Sequence, residues 1–592
     1  MLRFRSNLRY GRGRTIFGRA DGSSAGQEPA PAPLRTGPIQ AGQRLSEQEA
    51  DQVADLLNHQ PAQTVPESQL RWALSFAFSG GDAASEIFAA KRTAPVADSD
   101  FEPEVFASDL FIDALIEQCL AFKLGDFQPQ IDQLHMKRLL TQPPRSRADL
   151  LHRQAILKEL TDNAALREQF ERTYRSLHAL RALFDCQDIV DDWDDKRRRL
   201  DLLVTLRKVV EGLEGFHEAK SGLKRLFALG CHVRSLPGFV RLCELLDYEN
   251  HLATADLRVR IGADGRVRHF EIVGIQESRD SRFYRSPAGR LWARIRLLLR
   301  GYSVSHSEVV DRWLDSVFEG VLAPLPGMIG LISDMEFFLA GLWFRDLAQR
   351  KNLAVSFGEL TEPDAADCPG RRLTGLFNPL LLSHDQRPIS CDLSTESCGA
   401  ITIVTGPNSG GKTRLLQALA FAQLMGQSGL YVAAARAQLC WANGLFVSLI
   451  EAARADQREG RLGTEMLRIR LLFEHAKPNS LVVLDELCSG TNPSEGEEIF
   501  RLVVSLLHEL SPSAFITTHF LEFASRLERE AGRPSLSFLQ VQLDDRELPT
   551  FQFVPGVART SLAHQTAARL GVTRDELLAL IRRHERSGRR AP

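Results

Sequence analysis

No two cysteines in this sequence have the C-x-x-C spacing, although the chain contains nine cysteines among its 592 residues. Zinc sites and redox-active dithiols are usually marked by such pairs, and disulfide frameworks by dense cysteine in short secreted chains. The spacing therefore predicts reduced, mostly buried thiols in a reducing compartment. The nine positions are Cys119, Cys186, Cys231, Cys243, Cys368, Cys391, Cys398, Cys440 and Cys488.

A surplus of charge of either sign is also lacking. Lysine and arginine together number 73, aspartate and glutamate 75, and the isoelectric point is near 6.8. A domain that attracts nucleic acid through its overall field is usually strongly basic. The balance excludes a global basic field and leaves open binding through a local patch.

No stretch reads as a membrane span. The longest uncharged run, 415–435, contains Gln417, Gln423 and Gln427, and amides are unfavourable in the centre of a bilayer. The run therefore predicts a helix in a protein core. We expect a cytoplasmic protein without a membrane partner.

The first hundred residues carry little information about function. The first twenty contain six arginines and no acid, and sequence rich in proline, glycine and serine follows to about residue 42. Such a start is typical of a transit peptide, a nucleic-acid-binding arm or a disordered tail. We favour the tail and assign 1–100 as a low-complexity, poorly defined extension.

A phosphate-binding motif dominates what the sequence does contain. Residues 400–423 read as an apolar β-branched run, a glycine-rich turn and a helix-periodic run. The turn has the G-x-x-x-x-G-K-T spacing, which lets backbone N–H groups wrap a phosphate at a helix N-terminus. Lys412 is expected to reach the β- and γ-phosphates of ATP, and Thr413 to hold Mg²⁺. The expected nucleotide-binding residues are Gly406, Pro407, Asn408, Ser409, Gly410, Gly411, Lys412 and Thr413. The alternative is a chance glycine–lysine loop, but strand, loop and helix follow in the order that the motif requires.

Two further strands end in residues suited to the same chemistry. The run 480–486 reads SLVVLDE, and we expect Asp485 to bind Mg²⁺ and Glu486 to polarise the attacking water. The next strand, SAFITTHF, places His519 where a histidine would sense the γ-phosphate. A lone strand-end histidine is usually structural. The order of the three motifs, with helical runs between them, predicts ATP hydrolysis on a parallel sheet.

Upstream of this domain the period is helical. Apolar residues recur at helical spacing from Phe106 to about Leu252, and again from Leu291 to Asn352. Residues 257–275 instead alternate charged and apolar residues around Ala263–Gly265, which predicts a β-hairpin. Its four arginines are expected on one face, where they either contact a DNA backbone or are simply exposed. They are Arg258, Arg260, Arg266 and Arg268.

These motifs resemble those of the MutS family, a branch of the ABC-type ATPases. GPNSGGKT (406–413) is similar to its phosphate loop, and DELCSGTNPSEG (485–496) to its acidic strand end and the loop after it. Weaker similarity at 139–160, 375–382 and 554–572 extends the likeness over roughly 106–575. The resemblance implies a multidomain α and α/β protein: a helical core/lever domain (101–345) with a β-hairpin insertion, a possible reduced clamp (253–290), and a C-terminal ABC-type P-loop NTPase domain (346–592) with a basic tail.

The resemblance also implies a homodimer in which each ATP lies between two ATPase heads. A helix near Glu465–His475 would then reach the partner's nucleotide, but the family's serine position falls on Gly460. We predict Thr464 as the contact and as the N-cap of that helix. The resemblance also assigns to the site the loop after Glu486 and two residues that would sandwich the adenine, Ile389 and Phe553. The alternative for Phe553 is an ordinary core residue. The loop residues are Ser489, Gly490 and Thr491.

The family's mismatch-reading domain has no counterpart before residue 106, and the wedge-like letters Phe357-Gly358-Glu359 lie at the entrance to the ATPase. We therefore expect a short form of the family, without that domain and without a recognisable nuclease module. Its function would be ATP-dependent binding of duplex, mismatched or branched DNA as a dimeric clamp in mismatch repair or recombination, with a downstream repair partner. The alternatives are an ATPase of the same build acting on structured RNA or ribosomes in quality control, and a head domain that serves only a protein partner.

Overall fold

The computed structural model describes residues 55–61, 99–184, 192–243, 253–261, 267–277, 325–362, 370–384, 387–449, 461–488, 492–530, 536–560, 572 and 574–580. All of them belong to one compact unit, Ile39–Pro592. Most of the predicted N-terminal extension lies outside the described residues, so its assignment stays a prediction.

Helices fill the first half of the described chain. On the helix Ala164–Phe184, the buried residues Phe170, Tyr174 and Leu177 recur every three or four positions, as a helix with one face in a core requires. The helical prediction for 106–252 is confirmed within the described residues. The helices are α1 (Ile112–Leu115), α2 (Gln133–Thr141), α3 (Arg147–Asp162), α4 (Ala164–Phe184), α5 (Asp192–Glu214) and α6 (Lys224–Ser235).

Helix α7 (Leu325–Arg350) is the central helix of this part of the molecule, and it packs against α2, α3 and α4. In the portion of the chain that the structure describes, Gly327–Arg350 is the one stretch long and apolar enough to cross a membrane. Its most apolar window is 89% buried inside the protein. Burial within the helical core therefore accounts for its apolar composition.

The predicted hairpin is confirmed. Strands β1 (Ala253–Ile261) and β2 (Val267–Glu277) pair antiparallel, and their register places Arg258 opposite Glu271 and Arg260 opposite His269. Arg266 and the predicted turn lie outside the described residues. The common face proposed for the four arginines therefore stays a prediction.

The C-terminal half contains two sheets. The first has the order β13-β12-β6-β11-β10-β9, with β13 antiparallel to β12 and the other neighbours parallel. The second has the order β5-β4-β8-β3-β7. The strands are β3 (Ser356–Thr361), β4 (Arg372–Leu376), β5 (Cys391–Ser394), β6 (Ile401–Thr405), β7 (Tyr431–Val432), β8 (Arg436–Cys440), β9 (Leu445–Ser448), β10 (Leu481–Leu484), β11 (Ser513–Thr517), β12 (Leu536–Leu543) and β13 (Pro549–Pro555).

The central strands β6, β10 and β11 are buried at every residue, which is the pattern of a parallel sheet covered on both faces. The three motifs identified in the sequence follow the carboxyl ends of these strands, and neighbouring parallel strands bring such ends to one edge. The prediction of a parallel sheet carrying these motifs is confirmed. The covering helices of this half are α8 (Lys412–Ser428), α9 (Arg461–His475), α10 (Pro493–Leu510) and α11 (Leu521–Glu530).

Helix α8 begins at the phosphate-loop lysine and lies between the two sheets, with contacts to β3, β7 and β8 on one side and β10 and β11 on the other. This position explains why the uncharged run 415–435 carries buried amides. Gln423 donates to the Cys440 carbonyl at 3.1 Å, and Gln427 donates to the Ala442 carbonyl at 2.8 Å. The amides tie the helix to the second sheet. The prediction of a buried core helix is confirmed as far as Ser428, whereas the end of the run leaves the helix at Gly429 and forms strand β7.

The cysteine prediction needs a correction. Cys398 and Cys440, 42 residues apart and both buried, form a disulfide that joins the segment before β6 to the end of β8. The sequence could not show this pairing, because only the packing of the second sheet against that segment brings the two residues together. Cys119, Cys231, Cys391 and Cys488 are described cysteines that stay outside this disulfide as thiols.

Candidate functional site

The phosphate loop closes tightly on strand β12. Gly406 has φ +138°, and a Cβ there would lie 2.6 Å from Val541 Cγ2. Gly411 has φ +85°, and a Cβ there would lie 3.1 Å from the Phe551 ring. Glycine is therefore required at both positions, by backbone conformation and by the closeness of these side chains. The result is a tight loop that leads directly into the N-terminus of α8.

Lys412 lies under this loop. Its ammonium donates to the Gly406 carbonyl at 2.8 Å and to the Pro407 carbonyl at 3.0 Å, and only 3% of the residue is exposed. Burial lowers the pKa of Lys412, while the carboxylates of Glu486 and Asp485 act in the opposite direction. A cation with two carbonyl contacts and two nearby carboxylates is held in place beside the loop that would take a phosphate.

Thr413 and Asp485 meet across 72 residues of sequence. The Thr413 hydroxyl donates to Asp485 Oδ2 at 2.7 Å, and the Asp485 backbone N–H donates to the Ser448 carbonyl at 2.8 Å. Asp485 is buried, with 8% of its surface exposed. The structure thus brings together the hydroxyl and the carboxylate that the sequence assigned to Mg²⁺.

Glu486 follows in a left-handed conformation, with φ +46°, and its surface is half-buried. Its backbone N–H donates to the Thr517 hydroxyl at 2.7 Å, and that hydroxyl donates to Asp485 Oδ1 at 2.6 Å. Thr517 was not identified in the sequence, although a hydroxyl two residues before His519 was the available signal. His519 is exposed just beyond the end of β11, and its ring contacts that of Phe520.

The two adenine candidates lie on neighbouring segments. Ile389 is 55% exposed, Phe553 is part-buried against the core, and a hydrogen bond from Gln552 Nε2 to the Ser390 carbonyl joins their segments at 2.9 Å. The sequence reasoning missed Phe551, which is 39% exposed with φ +60° and lies against Gly411. An aromatic residue two positions before Phe553 was the signal for it.

The predicted trans-acting helix is present as α9, but it begins at Arg461. Thr464 therefore lies in its first turn, so the N-cap prediction is wrong; its role as a contact to a partner stays a prediction. Gly460 and the loop residues Ser489, Gly490 and Thr491 lie outside the described residues. Helix α9 is anchored to the helical part by an ion pair between Arg468 and the buried Asp109.

The opposite end of α8 is also fixed to the helical part. Arg153, on α3 and only 1% exposed, donates to the Ser428 carbonyl at 3.0 Å and to the Leu57 carbonyl at 2.8 Å. The Ser428 hydroxyl in turn donates to the Leu139 carbonyl at 3.3 Å. The helix that starts at the phosphate loop thus ends against α2 and α3.

The donor set fits a nucleoside triphosphate with Mg²⁺. The loop offers backbone N–H groups and a buried ammonium, which suit phosphate oxygens. Thr413 and Asp485 offer a hydroxyl and a carboxylate, the oxygen ligands that Mg²⁺ prefers. Glu486, beside this pair and open to solvent on one side, is the carboxylate available to activate a water.

Comparison with known proteins places this site in a defined domain. Residues 402–576 match the family model of MutS domain V. This span includes the phosphate loop, the acidic strand end and the strand that precedes His519.

Several relatives match the C-terminal part of the chain. A protein named endonuclease MutS2 from Thermomicrobium roseum is 32% identical over 245 residues, which is 40% of this chain and 30% of that protein. Proteins of the same name from Streptococcus equi subsp. equi and Streptococcus pyogenes serotype M18 are 30% and 32% identical, and each match covers 38% of this chain and 28% of the relative. The similarity thus spans less than a third of the length of these relatives.

Proposed function

We propose that this chain is an ATPase of the MutS type, which hydrolyses ATP with Mg²⁺ and uses the reaction to control its binding to DNA as a homodimer. The match of residues 402–576 to MutS domain V and the similarity to the MutS2 relatives support this proposal. The observation that carries the ATPase proposal is the 2.7 Å hydrogen bond between Thr413 and Asp485. It unites two motifs that are far apart in sequence at one edge of a parallel sheet, beside a buried lysine.

Different residues of the site would bind the phosphates, hold Mg²⁺ and activate the water. The loop N–H groups and Lys412 bind the phosphates, and Lys412 offsets their charge. Thr413 and Asp485 would hold Mg²⁺, which when bound neutralises charge on the phosphate oxygens. Glu486 would orient a water and accept its proton, and the exposed His519 would contact the terminal phosphate.

The DNA-binding part of the proposal draws on the family and on the hairpin β1–β2, where Arg258 and Arg260 stand two residues apart on one strand. Helical arms that close when ATP joins two heads would act as a clamp, since packed interfaces switch between discrete arrangements. The contacts of Arg153 and Arg468 join the helical part to α8 and α9 and offer a route for that switch.

The term endonuclease is part of the names of the MutS2 relatives and is said of those proteins. The match covers 28–30% of their length in the three relatives described above. Nuclease activity is therefore not part of this proposal. Structured RNA or a ribosome is the alternative substrate class, and a binding panel of DNA, RNA and ribosomes distinguishes it from DNA.

Turnover in Glu486→Gln tests the ATPase proposal. Glutamine keeps the size of the side chain and cannot accept the water's proton, so kcat should fall about 100-fold or more while ATP still binds. Phosphate release measures kcat, and a fluorescent ATP analogue measures binding.

Two variants serve as controls. Glu498→Gln, an exposed acid on α10, should keep the wild-type rate. Lys412→Ala should lose nucleotide binding itself, because the buried ammonium is removed from the loop. Wild-type turnover in Glu486→Gln would show that another group activates the water.

A further inference from the structure

Thr517 connects the two acids of the proposed site. It is the last residue of β11, is 0% exposed, and stands two residues before His519. Its hydroxyl lies 2.6 Å from Asp485 Oδ1 and 2.7 Å from the Glu486 backbone nitrogen. One buried hydroxyl therefore contacts both residues at the end of β10.

The chemistry of the partners fixes the direction of both hydrogen bonds. An ionised carboxylate only accepts and a backbone N–H only donates, so the hydroxyl proton goes to Asp485 and a lone pair receives the Glu486 N–H. Thr413 donates to the other carboxylate oxygen. Both oxygens of Asp485 are thus held by hydroxyls on opposite sides, which fixes the rotation of the carboxylate.

The second bond fixes the backbone. Glu486 has φ +46°, a left-handed conformation that residues other than glycine rarely adopt. Its N–H is held by Thr517 in this conformation. The turn sends consecutive acids into different surroundings, since Asp485 is buried against Thr413 whereas Glu486 is half-buried.

We propose that Thr517 is a positioning residue for Mg²⁺-dependent ATP hydrolysis: it aims Asp485 at Thr413 and holds the turn that presents Glu486. This inference rests on the proposed function and adds to it a residue outside the phosphate loop and the acidic motif. Since Thr517 shares β11 with the segment leading to His519, it also links the position of that strand end to the acid pair.

Thr517→Val tests the proposal, because valine keeps the shape of the side chain and removes both hydrogen bonds. We expect kcat to fall about 10- to 100-fold and the Mg²⁺ concentration for half-maximal rate to rise about fivefold or more. Binding of a fluorescent ATP analogue in EDTA should stay within about twofold of wild type, because Lys412 and the loop N–H groups are unchanged. Thr517→Ser keeps the hydroxyl and should restore both parameters to within about threefold.

Thr402→Val is the matched control. Thr402 is 1% exposed on the neighbouring strand β6, and its hydroxyl bonds with Ser537 Oγ at 2.9 Å, away from the acids. If the removal of any buried hydroxyl lowered kcat, Thr402→Val would lower kcat as much as Thr517→Val does. We expect the half-saturating Mg²⁺ concentration to be that of wild type in Thr402→Val.

The outcomes separate the two proposals. If wild-type protein turns over ATP and Thr517→Val matches Thr402→Val in kcat and Mg²⁺ dependence, the inference about Thr517 is wrong and the ATPase proposal stands. A wild-type protein without Mg²⁺-dependent turnover would overturn both. Should the valine variant fail to fold, Thr517→Ala replaces it, and an alanine variant equal to the serine variant in both parameters would overturn the inference.

Discussion

Glu336 shows what a single residue contributes outside the proposed ATPase site. It lies on α7 with 2% of its surface exposed, and its carboxylate accepts from the Asp132 N–H at 3.0 Å and from the Tyr174 hydroxyl at 3.1 Å. Burial raises the pKa of Glu336 to about 7, against the lowering effect of these two hydrogen bonds. The charged form is therefore costly in the folded protein near neutral pH.

Glu336→Gln should consequently stabilise the protein at alkaline pH. The native carboxyl keeps its proton up to about pH 7 while the unfolded one loses it near 4.5. The contribution of Glu336 to the free energy of unfolding of the wild type is thus fully present below pH 4.5 and is lost as the pH rises through 7. At pH 8 we expect the variant to unfold with a free energy on the order of 2–3 kcal/mol higher than wild type, and with little difference at pH 5.

Urea unfolding at the two pH values measures this difference. Glu117→Gln, an exposed acid in the same part of the molecule, is the control and should change neither value. Equal stability of wild type and Glu336→Gln at pH 8 would mean that the buried carboxylate is compensated by its hydrogen bonds.

At the scale of elements, the disulfide fastens the second sheet to the segment that leads into the phosphate-loop strand. Cys398 and Cys440 close a loop of 42 residues. Closing a loop of that length stabilises a folded chain by roughly 3–4 kcal/mol in the chain-entropy model. Reduction should therefore lower the melting temperature of the wild-type protein.

Thermal unfolding with and without a phosphine reductant measures the effect. Cys398→Ser with Cys440→Ser should melt at one temperature in both conditions, whereas Cys231→Ser, which changes an exposed free cysteine, should respond as wild type does. Complete alkylation of all nine cysteines in the folded, unreduced protein would contradict the pairing.

For the whole molecule, the proposed clamp predicts an assembly that depends on nucleotide. Glu486→Gln with ATP and Mg²⁺ should sediment as a dimer at concentrations where Lys412→Ala does not, because ATP held between heads adds contacts to the dimer interface. Sedimentation velocity at matched protein concentrations measures this. A protein that stays monomeric while it turns over ATP at full rate would overturn the dimer proposal.

The same assembly should bind DNA with a strong salt dependence. We propose a panel of homoduplex, mispaired and branched DNA, structured RNA and ribosomes, with and without ATP. Replacing Arg258 and Arg260 by alanine should weaken DNA binding and reduce the salt slope by about 1–2, whereas Arg529→Ala, at an exposed position on α11, should not. Retention of RNA or ribosomes without DNA would instead favour the quality-control alternative.

The sequence by itself determined the elements whose signal is local. The phosphate loop requires glycine, lysine and threonine at fixed spacing. Strands β6, β10 and β11 are mostly apolar because both faces of the sheet are covered. The helical period and the alternation in the hairpin are local in the same sense. Each of these could be predicted, since short-range backbone and burial constraints decide them.

The tertiary structure alone decided which distant residues meet. Three contacts depend on strand order and on the packing of the two sheets. They are the hydrogen bond from Thr517 to Asp485, the approach of the Phe551 ring to Gly411, and the disulfide between Cys398 and Cys440. No periodicity or spacing encodes such contacts, because each partner obeys only its own local constraints. Helix α9 likewise begins at Arg461, before Thr464, since the preference of a single hydroxyl for the N-cap is a weak signal that does not decide a helix start on its own.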